Sequence, residues 1–192
     1  TVCKKMNINI FDAINAAKTK PFGFNSFYPG PGVGGHCIPV DPYFLTYKAK
    51  QLGINTKFIK LAGKINDDRP NEISREILNY IKKNKLKKNI LIMGITYKKN
   101  SDDLRESPIL KVYNLLKKKM KNKVLVCDPM LSNFNRKTLK NIKFIDLKEL
   151  DKKSFHKKID LCFIGSNHDA FNYEKISKNF KTIFDSRDSF DR

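Results

Sequence analysis

Lys88-Asn89-Ile90-Leu91-Ile92-Met93-Gly94 decides the fold. Its apolar run is short, continuous and closed by glycine, the pattern of a strand buried on both faces. Three further runs repeat it: Val124-Leu125-Val126-Cys127-Asp128-Pro129, Asp160-Leu161-Cys162-Phe163-Ile164-Gly165 and Thr182-Ile183-Phe184-Asp185. Between the first two, Ser107-Pro108 reads as a cap and first helical residue, opening a helix through Leu110, Val112, Leu115 and Leu116. Strands alternating with helices predict parallel βαβ units and an open α/β sheet. Ligands of such sheets sit beyond the carboxyl ends of the strands. Tyr97-Lys98, Asp128, Ser166-Asn167-His168 and Arg187 all fall there. Lys98, Arg105 and Arg187 are therefore expected to gather positive charge on one edge, suited to a pyrophosphate.

Upstream of Lys88 the period is helical. Ile10, Phe11, Ile14 and Ala17 recur at helical spacing within residues 7–18. Thr19 to Asp41 reads as loop. Asp41 then Pro42 reads as an N-cap and first helical residue, with the helix running to about Gln51 and stopped by Gly53. From Phe58 to Lys83 a long amphipathic stretch sets Ile59, Ala62, Ile65, Ile73, Ile77, Leu78 and Ile81 on or near one face, and Pro70 is expected to kink or divide it. The change of period near residues 84–88 separates a helical part, residues 1–86, from an α/β part, residues 87–192.

The loop before Asp41 carries chemistry. Tyr28-Pro29-Gly30-Pro31-Gly32-Val33-Gly34-Gly35-His36-Cys37-Ile38-Pro39-Val40-Asp41-Pro42 ends its glycines at a cysteine beside a predicted helix start. Glycine lets backbone approach a ligand closely, and a helix N-terminus favours the thiolate over the thiol. The plainer alternative is a Gly/Pro connector with a buried cysteine.

Composition narrows the partners. The 192 residues carry 39 Lys+Arg against 19 Asp+Glu, a net charge of +20, which raises nucleic acid or an anionic membrane as candidates. The lysines are instead scattered over periodic segments (Lys82-Lys83, Lys117-Lys118-Lys119, Lys157-Lys158), with no nucleic-acid-binding motif among them. The reading is a solvated lysine-rich surface without a specific nucleic-acid partner and without a membrane span. Cys3, Cys37, Cys127 and Cys162 form no C-x-x-C pair, so no structural zinc site is expected, and free thiols fit the cytoplasm.

Read from Lys20-Pro21-Phe22-Gly23-Phe24 through Asp41-Pro42-Tyr43-Phe44-Leu45, the cysteine segment resembles the catalytic-cysteine segment of the UDP-glucose/GDP-mannose dehydrogenase family, most nearly its bacterial branch acting on UDP-N-acetylhexosamines. Gly94-Ile95-Thr96-Tyr97-Lys98-Lys99-Asn100-Ser101-Asp102-Asp103-Leu104-Arg105-Glu106-Ser107-Pro108 resembles the signature of the family's C-terminal domain, and Phe184-Asp185-Ser186-Arg187 its strand-end arginine. The resemblance implies a helical, dimerisation-type central segment followed by a Rossmann-like UDP-binding domain. It implies an oxidation of a sugar C6 alcohol to a carboxylate with NAD, through a thiohemiacetal and a thioester on Cys37. Asp41 would serve water in thioester hydrolysis, and His36 a structural or substrate-lining role. Phe27, Tyr28, Gly30, Gly32 and Gly34 would line the sugar pocket through backbone amides. Tyr97, Lys98 and Arg187 would contact the UDP-sugar, and Arg105 the dinucleotide.

The family's first Rossmann domain carries G-x-G-x-x-G after its first strand. The nearest approach here, Gly30-Pro31-Gly32-Val33-Gly34-Gly35, follows no strand and holds a proline where a helix would begin. The resemblance thus covers the family's central and C-terminal portions. It implies that NAD is bound mainly by a domain outside these residues and that the chain alone does not oxidise its substrate. Its expected partner is a second copy through the central helices or a separate N-terminal Rossmann polypeptide. A non-catalytic nucleotide-sugar-binding or assembly module is the alternative.

Overall fold

A computed structural model describes residues 2–190, which divide into two compact units, residues 2–30 and 31–190. The first holds α1 (Val2–Lys5) and α2 (Ile10–Lys18). The predicted helix begins three residues later than its periodicity suggested. Asn7 takes a positive φ of 59°, and the Asn9 side chain caps α2 by accepting from the Phe11 amide at 3.0 Å. Tyr28 folds back within this unit: its hydroxyl donates to Asn15 Oδ1 at 2.7 Å and its ring stacks on Phe11.

The second unit opens with α3 (Cys37–Gln51) and α4 (Lys57–Lys83). The helix expected to start at Asp41-Pro42 starts at Cys37 instead, with His36 at the cap position, so Asp41 is not an N-cap. The Asp-Pro signal misleads because Pro39 lies nearer the true start. At the third helical position its missing N–H is one that no helix uses. Pro70 does not divide α4, which runs through it undivided for 27 residues. Only the C-terminal half of α4 joins the core: Ile73, Ile77 and Ile81 are buried, whereas Phe58, Leu61 and Ile65 stand exposed.

The sheet is all parallel, ordered β3-β2-β1-β4-β5. Its strands are β1 (Asn89–Met93), β2 (Val124–Cys127), β3 (Lys143–Phe144), β4 (Ile159–Ile164) and β5 (Ile183–Asp185). Residues alternate between faces as pleating requires. Ile90 and Ile92 of β1 pack with α4 and with α5 (Pro108–Met120), while Leu91 and Met93 face the opposite cluster of Phe155, Phe171, Ile176 and Phe180. That second face is covered by α7 (Lys153–His156), α8 (Tyr173–Asn179) and adjoining loops; α6 (Asn133–Thr138) follows β2. Ser107 caps α5 as predicted, its hydroxyl accepting from the Leu110 amide at 3.3 Å with Pro108 first in the helix. β3 went unpredicted.

Candidate functional site

Strand order reverses between β1 and β4, since β1 leads to β2 on one side and β4 to β5 on the other. The crevice of an open α/β sheet lies at such a point. Here the two strand ends touch backbone to backbone. Gly94 has φ +73°, and a Cβ on it would collide with Ser166; a Cβ on Gly165 would fall 2.6 Å from Gly94 O. Two glycines end the two strands because nothing larger fits.

Beyond Gly94 runs the loop that carries Tyr97, Lys98 and Arg105. It is fastened from beneath by groups that sequence reading placed at the edge but gave no role. Asp128, at the end of β2, is fully buried. Its Oδ2 accepts from the amides of Ile95 at 2.7 Å and Thr96 at 3.2 Å, and its Oδ1 from Met130 at 2.9 Å. His168, also fully buried, sets Nε2 3.3 Å from Asp128 Oδ2, and its Nδ1 accepts the Asn100 amide at 2.9 Å. An accepting Nδ1 fixes the neutral ring with its proton on Nε2, aimed at the carboxylate. Burial pushes the Asp128 carboxyl up, but His168 and the two amides outweigh it, and the group lies below its ordinary value. Asn100, at φ +54°, donates to Asp169 Oδ2 at 2.5 Å and accepts the Asp169 amide at 2.9 Å. No local motif signals this latch, because Asp128 and His168 lie 40 residues apart.

The loop is also tied to the cysteine. Gly34 and Gly35 lie directly on Tyr97. A Cβ on Gly34 would collide with Tyr97 Cβ and come within 3.0 Å of Glu106 O, and one on Gly35 would meet the Tyr97 ring at 3.0 Å. The Gly35 amide donates to Arg105 O at 2.9 Å. Gly32, at φ +139°, is wedged against Pro108 and Asn66. The Arg105 guanidinium turns back on Asp103, which holds it charged, with smaller contributions from Tyr97 and Cys37.

Within residues 31–190 the fold therefore joins Gly32, Gly34, Tyr97 and Arg105 in one contact network leading to Cys37. Lys98 is exposed on the same loop, its carbonyl accepting from Thr96 Oγ1 at 3.3 Å. Arg187 follows β5 but reaches back, its Nε donating to Gly165 O at 3.0 Å at the crevice itself. Phe27, Tyr28 and Gly30 belong to the first unit, where Phe27 is exposed and Tyr28 is held by Asn15.

Cys37 is exposed as the first residue of α3, with His36 and Asp41 beside it, His36 Nδ1 lying 3.7 Å from Asp41 Oδ1. Cys127 and Cys162 are buried in strands, and burial pushes the Cys127 thiol up to about 12 and Cys162 upward as well.

Comparison with known proteins agrees with this geometry. Residues 1–68 match the central domain of the UDP-glucose/GDP-mannose dehydrogenase family, and residues 91–192 match its UDP binding domain. A UDP-N-acetyl-D-mannosamine dehydrogenase of Methanococcus maripaludis is 41% identical over 116 residues, spanning 60% of this chain and 26% of the relative. One of Campylobacter jejuni is 36% identical over 150 residues, spanning 77% of this chain and 36% of the relative. A UDP-D-ManNAc dehydrogenase structure from Pyrococcus horikoshii superposes with a TM-score of 0.78 at 27% identity, over 98% of this chain and 43% of that one. The chain spans less than half the length of these relatives and matches their C-terminal part. It belongs to the UDP-glucose/GDP-mannose dehydrogenase family.

Proposed function

We propose that this chain, as a member of that family, supplies the nucleotide-sugar site and the nucleophilic cysteine of a nucleotide-sugar 6-dehydrogenase whose substrate is a UDP-hexose or UDP-N-acetylhexosamine. One observation carries the reading: the glycines preceding Cys37 rest on Tyr97, in the same loop that presents Lys98 beside the β1/β4 crevice where Arg187 is anchored. A diphosphate held there by Lys98 and Arg187 would orient its sugar toward the thiol.

Cys37 Sγ adds to a C6 aldehyde carbon as the thiol proton passes to the carbonyl oxygen, and Asp41, four residues on, would position the water that releases the acyl group once that carbon has lost a hydride to NAD. Gly32 and Gly34 line the sugar. NAD, which would supply hydride-accepting chemistry, finds no cradle among the described residues. β1 runs into the loop 94–107 rather than a glycine turn opening directly onto a helix. We assign Arg105 alone to a dinucleotide contact. In the same reading residues 1–86 and 87–192 are the working divisions, the compartment is the cytoplasm, and the partner is a second copy through the central helices or a separate Rossmann polypeptide. No helix among the described residues is long and apolar enough to cross a membrane.

Calorimetry with UDP tests the placement. Lys98→Ala and Arg187→Ala should each lose a charge-assisted contact of roughly 1.5–3 kcal/mol. Unchanged affinity in both variants removes it.

A further inference from the structure

We propose that His36, Cys37 and Asp41 form a chelating site for a borderline-soft divalent cation of the zinc class, which caps the Cys37 thiol. The start of α3 at Cys37, rather than at Asp41, makes this arrangement. One helical turn separates Cys37 from Asp41, so both project from one face, and the residue at the cap position turns its imidazole onto the same face. One donor atom from each residue lies within 4.8 Å of the other two. Tetrahedral zinc, with bonds of about 2.0–2.3 Å, sets its donors roughly 3.4–3.8 Å apart. The remaining gap of about 1 Å is within reach of side-chain rotation, since all three residues are exposed.

The donor set selects the ion. Thiolate, imidazole and carboxylate together suit zinc and its cobalt surrogate, whereas magnesium and calcium demand oxygen. Among the described residues the three side chains make no other hydrogen bond or ion pair, so nothing must be broken before they close on a metal. Two influences oppose binding: the charge on Arg105, which interacts with Cys37, and the positive end of the α3 dipole. Their effect is a modest affinity, and the metal itself displaces the thiol proton. Cys3 has no such partners among the described residues, and Cys127 and Cys162 are buried.

Binding breaks the Sγ–H bond, forms an Sγ–metal bond and releases the proton to water, with no change of oxidation state. The sulfur pair held by the metal is the pair that would attack a carbonyl. A loaded site therefore silences the thiol, a consequence that rests on Cys37 being the nucleophile; the chelation does not.

Titration of the 192-residue chain with cobalt(II) tests the site. Thiolate-to-cobalt charge transfer should produce a saturable near-ultraviolet band that zinc displaces and magnesium leaves intact. Cys37→Ser should abolish the band, and His36→Ala and Asp41→Asn should each weaken cobalt binding by about tenfold or more. Zinc should also slow alkylation of Cys37, followed by mass spectrometry. The absence of a band at millimolar cobalt, a band surviving in Cys37→Ser, or either other variant binding as tightly as the parent overturns the three-donor site. UDP calorimetry with Lys98→Ala reads the substrate assignment separately, so failure of one leaves the other standing.

Discussion

The strand edge and the start of α3 carry their polar groups in opposite ways. Asp128 and His168 are buried, and each of their side-chain polar atoms has a partner drawn from the loops after β1, β2 and β4. His36, Cys37 and Asp41 stand in solvent and share one 3.7 Å approach. A buried network is rigid because each unmet partner costs a desolvation penalty, whereas exposed groups rearrange freely. The molecule thus holds the loop after β1 with fixed hardware and leaves the exposed start of α3 adaptable.

The widest gap between the two regions should appear in thiol chemistry. Cys162 and Cys127 are reached only when the sheet opens, while Cys37 needs no opening. With ordinary domain stability, alkylation of Cys37 should outrun both by about 1,000-fold or more. Peptide mass mapping after timed iodoacetamide pulses gives the rates. If Cys37 labels slowest of the three, the contrast collapses and the nucleophile assignment with it.

Next in size is the latch. Asp128→Ala strips an acceptor from three amides and from His168 Nε2, and should cost about 3–5 kcal/mol in urea unfolding, since each buried donor left unmet costs about 1–3 kcal/mol. Its pH signature follows from the depressed carboxyl. A group whose folded value lies below its unfolded one stabilises above the unfolded value, about 3.9, and loses that stabilisation as pH falls through the folded value. The parent should therefore weaken steeply below about pH 3.9, and Asp128→Asn should show a shallower fall. Equal slopes in both would mean that Asp128 is not held ionised by the fold.

Gly34→Ala comes third and probes the link between the regions. The added Cβ meets Tyr97 Cβ and Glu106 O, neither of them the free end of a flexible side chain, so backbone must shift. A cost of about 1–3 kcal/mol is expected, together with weaker UDP binding. Gly23→Ala, where nothing lies within 4 Å, is the control: it bears only the strain of φ +74°, about 1–2 kcal/mol, and should leave UDP affinity alone. UDP isotherms that are identical for parent and Gly34→Ala would cut the proposed connection.

How much of this was legible depended on how local each signal is. β1, β2 and β4 could be read because burial on both faces leaves unbroken apolar runs, and the half-buried edge strand β5 because Ile183-Phe184 still stand together. β3 could not, since it pairs at only two positions and one of them is an exposed lysine. The glycine loop and Cys37 stood out in the sequence as candidates, but the start of α3 did not. Two prolines lie within its first turns, and Asp41-Pro42 imitates a cap more convincingly than His36 does. The periodicity of α4 marked its face without saying which half is covered, because that depends on what packs there. Asp128 and His168 were invisible as a pair, for their contact exists only once β1 lies between β2 and β4.

The smallest effect belongs to the exposed end. His36→Ala, Cys37→Ser and Asp41→Asn remove no buried contact, no capping bond and no core volume. The His36–Asp41 approach is long and solvated, the class of ion pair that contributes little. Each variant should unfold within about 0.5 kcal/mol of the parent. A larger loss would show that α3 depends on these side chains for its start. The helix would then constrain its own reactive end, and the division between a fixed edge and an adaptable one would have to be withdrawn. Stability this close to the parent would also mean that any loss of cobalt binding or labelling in the same variants is chemical, because the scaffold beneath them is unchanged.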